Sequence, residues 1–269
     1  MKEFDVEIHA PGRTPEPKDP GLDEQYFQQC IEMDHPPDSE FYNVTSVLFE
    51  EARLPDRSTI VDVGCGIGRL AYNYANFIRS NRIIGIDKSP KAIEIAKSKF
   101  KAPNLEYMVG DVYDLTNLVG NADLVTVKGA LHHFDYLGKA IDQLVGILSP
   151  KGTLFIQDFD RRMTESFINT SIVEIPKQET QRICDIILGH SPDDSLKLLR
   201  QKGHLQHKET LTIISILAAY TSKEVAQALI EKGAHPYRIG HPVNRHASYT
   251  VFARRFGHVR KLLRKLKII

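Results

Sequence analysis

Between residues 58 and 160 the apolar positions follow two alternating rhythms. Short runs rich in β-branched residues, Thr59–Val63, Arg82–Asp87, Leu105–Val109, Asp123–Val127 and Thr153–Gln157, read as strands. Between them lie stretches with helical ends. Ser89 before Pro90 is an N-cap followed by proline at the first helical position, opening a helix over Pro90–Phe100. A second helix, Tyr136–Leu148, is stopped by Ser149-Pro150-Lys151-Gly152, read as the turn that launches the fifth strand. Strand and helix alternating five times predict a doubly wound, mostly parallel sheet.

The flanks follow other patterns. The first twenty residues hold four prolines (Pro11, Pro15, Pro17, Pro20) and no periodicity, which predicts an extended lead-in and not a packed element. Helical spacing starts near Leu22 and returns over Phe41–Arg53, so residues 1–54 read as an N-terminal helical lid. Residues 55–160 form the core, and 161–220, helical in character without a convincing strand, read as an inserted helical cap. Thr221-Ser222-Lys223-Glu224 is a capping box for a helix ending near Gly233. Strand candidates at Tyr237–Ile239 and Ala247–Ala253 complete the core over 221–254. The expected fold class is therefore α/β, with a mostly parallel seven-stranded Rossmann-like sheet and an inserted helical cap.

Composition narrows the class. A chain of 269 residues with 42% apolar side chains suits one large α/β domain or two small ones. Its 35 basic and 34 acidic residues sum to +1, which gives no global argument for nucleic-acid or membrane binding. That sum conceals an asymmetry. Arg254, Arg255, Arg260, Lys261, Arg264, Lys265 and Lys267 put seven positive charges and no acid into the last stretch, leaving 28 basic against 34 acidic side chains before it. With Val259, Leu262, Leu263 and Leu266 at helical spacing, residues 255–269 read as a basic amphipathic tail. Such a tail suits an anionic surface contact or packing on the domain or in a homodimer. Cys30, Cys65 and Cys184 show no paired spacing, the N-terminus has acids where a signal peptide needs an apolar stretch, and the longest apolar run, Ile213–Tyr220, is far below the ~20 residues that span a bilayer. The expectation is a soluble, cytoplasmic protein.

The chemistry concentrates in Asp62-Val63-Gly64-Cys65-Gly66-Ile67-Gly68, where a strand meets glycines at alternate positions and then a helix. Glycines there allow a sharp turn and close approach of a ligand. Counted from Gly66, the run also meets the G-x-G-x-x-A variant of a dinucleotide fingerprint, which keeps an NADP-dependent oxidoreductase open. Asp62 argues against it, since a carboxylate just before the turn repels a pyrophosphate and suits a cationic ligand. Asp87, closing the second strand, can accept both hydroxyls of a ribose; an ordinary acidic helix cap is the plainer reading. Asp111 after the third strand can receive an adenine amino group, with Val112 or Met108 against the ring.

This set resembles the class I S-adenosylmethionine-dependent methyltransferases. The glycine-rich motif is Asp62–Gly68, the acidic second motif is Asp87, the third is Gly110-Asp111-Val112, the fourth is Ala122-Asp123-Leu124-Val125 with His132-His133-Phe134 following, and Leu148–Gly152 is similar to the turn before strand five. The resemblance covers roughly residues 55–160 and 221–254. It implies S-adenosyl-L-methionine across the C-terminal strand edge, held by Asp62, Gly64, Cys65, Gly66, Gly68, Asp87, Lys88, Asp111 and Val112. Lys128 departs from the small or polar residue expected beside the methionine end and is expected to face a carboxylate of cofactor or substrate.

Methyl transfer from a sulfonium is a direct displacement that asks chiefly for alignment and exclusion of water, with a base only for a protonated acceptor. His132, His133 and Asp158 are the catalytic candidates; a structural role for either histidine is the competing reading. Asp158 and Asp160 could hold a metal, yet no third ligand is evident beside them, so no metal is expected. His204 with His207, and His241 with His246, read as solvated or structural. Lys128–Leu131 occupies the place of the Asn/Asp-Pro-Pro-aromatic run of nucleic-acid amino methylators, so a small-molecule acceptor is favoured, with Tyr26, Phe27, Phe41 and Tyr42 as candidate pocket walls. The leading reading is a small-molecule methyltransferase; a nicotinamide enzyme and an inactive cofactor-binding partner subunit are the alternatives.

Overall fold

Alternate residues of each strand point to opposite faces of a sheet, and a strand buried on both faces must be apolar on both. That is what organises this chain. In the computed structural model, which describes residues 13, 16, 45, 48–54, 57–77, 82–163, 178, 182–183, 185–186, 189–202, 208–240 and 248–255, seven strands form one sheet: β1 (Thr59–Val63), β2 (Arg82–Asp87), β3 (Leu105–Val109), β4 (Ala122–Lys128), β5 (Leu148–Phe159), β6 (Ala234–Gly240) and β7 (Ser248–Arg255). Their order is β3-β2-β1-β4-β5-β7-β6. Pairing is parallel from β3 through β5, and β7 is antiparallel to both β5 and β6. Strand β7 is thus the one reversed member. The chain winds outward from β1 to β3 and then crosses back to β4, which opens a crevice between β1 and β4 at the C-terminal edge.

Helices cover both faces. Ile60, Ile83, Leu124, Phe155 and Phe252 pack with Leu70, Ala71 and Tyr74 of α1 (Arg69–Phe77) and Ile93 and Ala96 of α2 (Pro90–Lys99). Val61, Ile84, Val125, Leu154 and Val251 pack on the other face with α4 (Leu137–Gly146) and α7 (Ser222–Glu231), while a short α3 (Leu115–Leu118) follows a 3-10 turn at Val112–Asp114. The caps act as their residue types predict: the Ser89 hydroxyl accepts from the Ala92 amide, and Thr221 with Glu224 forms a reciprocal capping box.

Two expectations change. The Ser149–Gly152 turn lies inside β5: Leu148 pairs with Ala122 and Thr153 with Leu124, so the extra residues bulge out of an otherwise continuous strand. A Cβ at Gly152 would stand 2.7 Å from the Ala122 carbonyl oxygen, so only glycine lets the bulge close there. The unpacked lead-in is also corrected, because Arg13 lodges in the fold. Its guanidinium donates to the carbonyls of Ala218 (2.7 Å), His132 (2.9 Å) and Phe134 (3.3 Å) and lies 4.4 Å from the Tyr220 ring centre. A planar group with five donors makes such a contact without local periodicity. Of the N-terminal segment expected as a lid, Leu48 and Ala52 pack with the α1 face, and Glu51 meets Arg238 of β6 and, through its carbonyl, Arg254 of β7.

Within 161–220 the described residues are mainly helical, including α5 (Pro192–Gln201) and α6 (Lys208–Ala218). The aromatics Tyr26, Phe27, Phe41 and Tyr42, the histidines at 204, 207, 241 and 246, and the tail beyond Arg255 lie outside the described residues. Among the described residues, no helix is long and apolar enough to cross a membrane.

Candidate active site

The glycine turn is built by its neighbours. Gly64, Gly66 and Gly68 have φ of +70°, +53° and +88°, the left-handed region that costs other residues strain. A Cβ on Gly64 would reach Ala130 at 2.4 Å and one on Gly68 would reach the Tyr107 hydroxyl at 2.6 Å, whereas at Gly66 it would meet open space. Two of these glycines serve packing; Gly66 leaves room for a ligand. The amides of Gly64 and Cys65 donate to the Ile86 carbonyl, that of Gly66 to Asp87 Oδ2 (2.8 Å), and that of Gly68 to the Cys65 carbonyl. Four amides of the turn are therefore spent within the protein, and two of them, Gly66 and Gly68, belong to the Gly66–Ala71 run on which the dinucleotide reading rests.

Asp87 fastens this turn to the next element: Oδ2 accepts from Gly66 and Oδ1 from the Ser89 amide (2.9 Å). Each oxygen keeps a lone pair for a ribose hydroxyl. Asp111 caps the 3-10 turn through the Tyr113 amide (3.0 Å) and pairs with the largely exposed Lys88 (3.4 Å), an ion pair weak enough for a ligand to displace. Val112 is buried beneath it. Cys65 packs against Gly85 and Tyr107, and burial, with Asp62 and Asp87 nearby, pushes its thiol well above the usual range, so it lines the turn as a small apolar group.

Asp62 lies under the turn, 1% exposed. Its Oδ1 accepts from the Thr126 hydroxyl of β4 at 2.7 Å, while Oδ2 has no partner among the described residues. Burial raises its carboxyl to about 7, against the opposing pull of Thr126 and Lys128. A buried acceptor left open beneath a turn with open space at Gly66 suits a cationic or hydrogen-bonding ligand. The carboxylates that act on Lys128 are the chain's own: burial lowers its ammonium, and Asp62 and Asp158 oppose that shift.

Across the crevice, β4 and β5 bring together all three catalytic candidates. His132, in the 3-10 turn Leu131–His133, donates its backbone amide to Asp158 Oδ2 (3.0 Å), and its Nδ1 lies 2.7 Å from Asp158 Oδ1. Asp158 also accepts from the Phe159 amide, so the carboxylate is the acceptor and Nδ1 carries the proton. His133 Nδ1 meets Glu16 Oε2 at 2.5 Å, and Glu16 Oε1 accepts from the Ser215 hydroxyl of α6 at 2.6 Å. Burial would raise the Glu16 carboxyl, but His133 and His132 outweigh it and hold it at about 2. Asp160 is engaged instead by Arg162 (2.5 Å), which also bonds Ser222. Sequence reasoning missed Glu16, Arg13, Thr126 and Ser215; none carries a motif, and Glu16 and Arg13 reach the site from a segment without periodicity.

Known proteins resemble the core that carries this site. Residues 61–156 match the model of a methyltransferase domain. Over 103 residues the chain is 33% identical to a malonyl-acyl-carrier-protein O-methyltransferase of Acetivibrio thermocellus, covering 38% of this chain and 36% of the relative. Over 114 residues it is 28% identical to 2-phytyl-1,4-naphtoquinone methyltransferase of a Nostoc species, covering 40% and 50%. The chain thus spans half or less of the length of these curated relatives. Among solved structures, the plantazolicin methyltransferase BpumL in complex with a triazolic desmethyl analogue and SAH superposes with a TM-score of 0.59 at 15% identity, over 88% of this chain and 92% of that one. A TehB-like SAM-dependent methyltransferase from Corynebacterium glutamicum gives 0.56 at 14% identity, over 88% and 100%. The core carries the class I methyltransferase fold.

Proposed function

We propose that this chain, built on a class I methyltransferase core, is an S-adenosylmethionine-dependent methyltransferase of the cytoplasm that acts on a small-molecule acceptor. The observation that carries the reading is the open, buried Oδ2 of Asp62 beneath a turn whose amides are already bonded. That arrangement suits the cationic methionine end of the cofactor better than a pyrophosphate. Space above Gly66, the remaining lone pairs of Asp87 and the rim of Asp111, Lys88 and Val112 suit its ribose and adenine.

When bound, S-adenosylmethionine supplies an electrophilic methyl group on a sulfonium. The chain's own residues then orient and seal. Gly64 and Gly68 set the turn, Asp62 neutralises positive charge, and Lys128 offsets the carboxylates around it. Asp158 fixes the ring of His132 so that Nε2 is the atom able to take a proton from an acceptor. Arg13 and Glu16 border this acceptor side, and α6 of the 161–220 cap supports it through Ser215. Calorimetric titration with S-adenosylhomocysteine and with NADPH tests the reading. Binding of the first and not the second is expected, with Asp62→Asn weakening binding of the methionine-bearing ligand at least tenfold; the reverse preference would sink it.

A further inference from the structure

His132, His133 and Glu16 place two imidazole nitrogens and a carboxylate oxygen within 4.8 Å of one another. His132 Nδ1 is taken up by Asp158 Oδ1 at 2.7 Å, so Nε2 is the ring atom turned to the cluster, and it faces Glu16 Oε1 at 3.8 Å. At that separation the two atoms share no hydrogen bond, and a cation held between them is within reach of both. His132 is almost fully buried and Glu16 largely so, which removes most of the water that would screen them, while half-exposed His133 leaves a route from solvent.

From this geometry we infer that Glu16, His132 and His133 form a binding site for one borderline divalent cation of the zinc type. Two imidazoles and one carboxylate are a donor set for zinc, iron or manganese and not for magnesium or calcium. Bonds of roughly 2.0–2.2 Å to such an ion fit a triangle of this size after a small rotation of His133, which stands closest to Glu16. Asp158 is the outer carboxylate that sets the His132 tautomer, the usual arrangement around a ligating histidine. Three protein ligands leave a coordination position for water or for an oxygen, nitrogen or sulfur of an acceptor. The site shares His132 with the acceptor side, so with an ion bound Nε2 is a ligand and no longer a proton acceptor, and it is the ion that lowers the pKa of a bound acceptor or water; its binding of metal does not depend on the methyltransferase reading.

The test uses the full chain stripped with a chelator and titrated with Zn2+ against a chromophoric competitor, alongside the visible spectrum of its Co2+ form. One equivalent is expected to bind, with a Co2+ ligand-field band showing nitrogen ligation. His133→Ala and Glu16→Gln should each weaken Zn2+ binding at least tenfold, and Asp158→Asn on the order of 10–100-fold. Folding of each variant is followed by its circular dichroism and thermal melt; the Co2+ spectrum of the parent keeps the test decisive should a variant misfold. Absence of a stoichiometric site, or a site indifferent to both His133→Ala and Glu16→Gln, would overturn the inference and leave a cluster held by protons alone. Methyl transfer needs no measurement here, so failure of the metal site and failure of the functional reading are told apart.

Discussion

Asp62 shows how much one side chain can carry. Unfolded, its carboxyl ionises near 3.8; folded, burial moves it to about 7. Between those values the native state keeps a proton that the unfolded chain has lost, so stability is full below the lower value and falls as pH rises through the upper one. The difference is on the order of 4 kcal/mol. Denaturant titrations from pH 5 to 8 should show the decline, and Asp62→Asn should flatten it. A cation bound beside Asp62 favours the carboxylate, so binding of S-adenosylmethionine near pH 6.5–7 should release a proton, read as a binding enthalpy that varies with the ionisation enthalpy of the buffer. Gly64 makes a different residue-scale prediction. With φ at +70° and Ala130 in the path of any Cβ, Gly64→Ala should cost about 1–2 kcal/mol from the backbone alone and more from the clash, lowering the denaturation midpoint.

At the scale of elements, legibility depended on whether the determining contacts were local. The Ser89 cap, the Thr221–Glu224 box and the strand-to-turn passage at Val63–Gly64 are each defined by residues within a few positions, and each stands where its pattern puts it. The Ser149–Gly152 bulge was misread because proline and glycine mark a reversal locally, while pairing of Leu148 with Ala122 lies outside the local pattern. The capping box offers a check on local energetics. Thr221→Ala removes the acceptor for the Glu224 amide and a donor to its carboxylate, and should destabilise by about 1 kcal/mol, seen as a lower thermal midpoint with the α7 fold retained.

For the whole molecule, the candidate site was half legible. The cofactor side, from Asp62 to Asp111, lies on β1, β2 and β3 in chain order, so spacing alone could assemble it. The acceptor side could not be read the same way. His132, just past β4, and Asp158, on neighbouring β5, were visible as candidates, but Glu16 and Ser215 are 199 positions apart in sequence and meet only in the folded chain. Arg13 is expected to carry the docking of this distant segment. Arg13→Ala leaves the Ala218 and His132 carbonyls without its donors and should cost about 1–3 kcal/mol, measured by denaturation, with the acceptor KM raised more than kcat is lowered.

That docking also orders events in time. Arg13 is synthesised 205 positions ahead of Ala218, whose carbonyl accepts its Nε. The sheet from β1 to β5 can pair as it is synthesised, so a nascent chain ending shortly after Phe159 already holds the glycine turn, Asp87 and Asp111. It still lacks Ala218 and Tyr220, which complete the seat of Arg13 begun by the His132 and Phe134 carbonyls, and the hydroxyl that steadies Glu16. Cofactor affinity should therefore arise earlier in synthesis than a finished acceptor side, and a stalled or truncated chain would carry the first without the second.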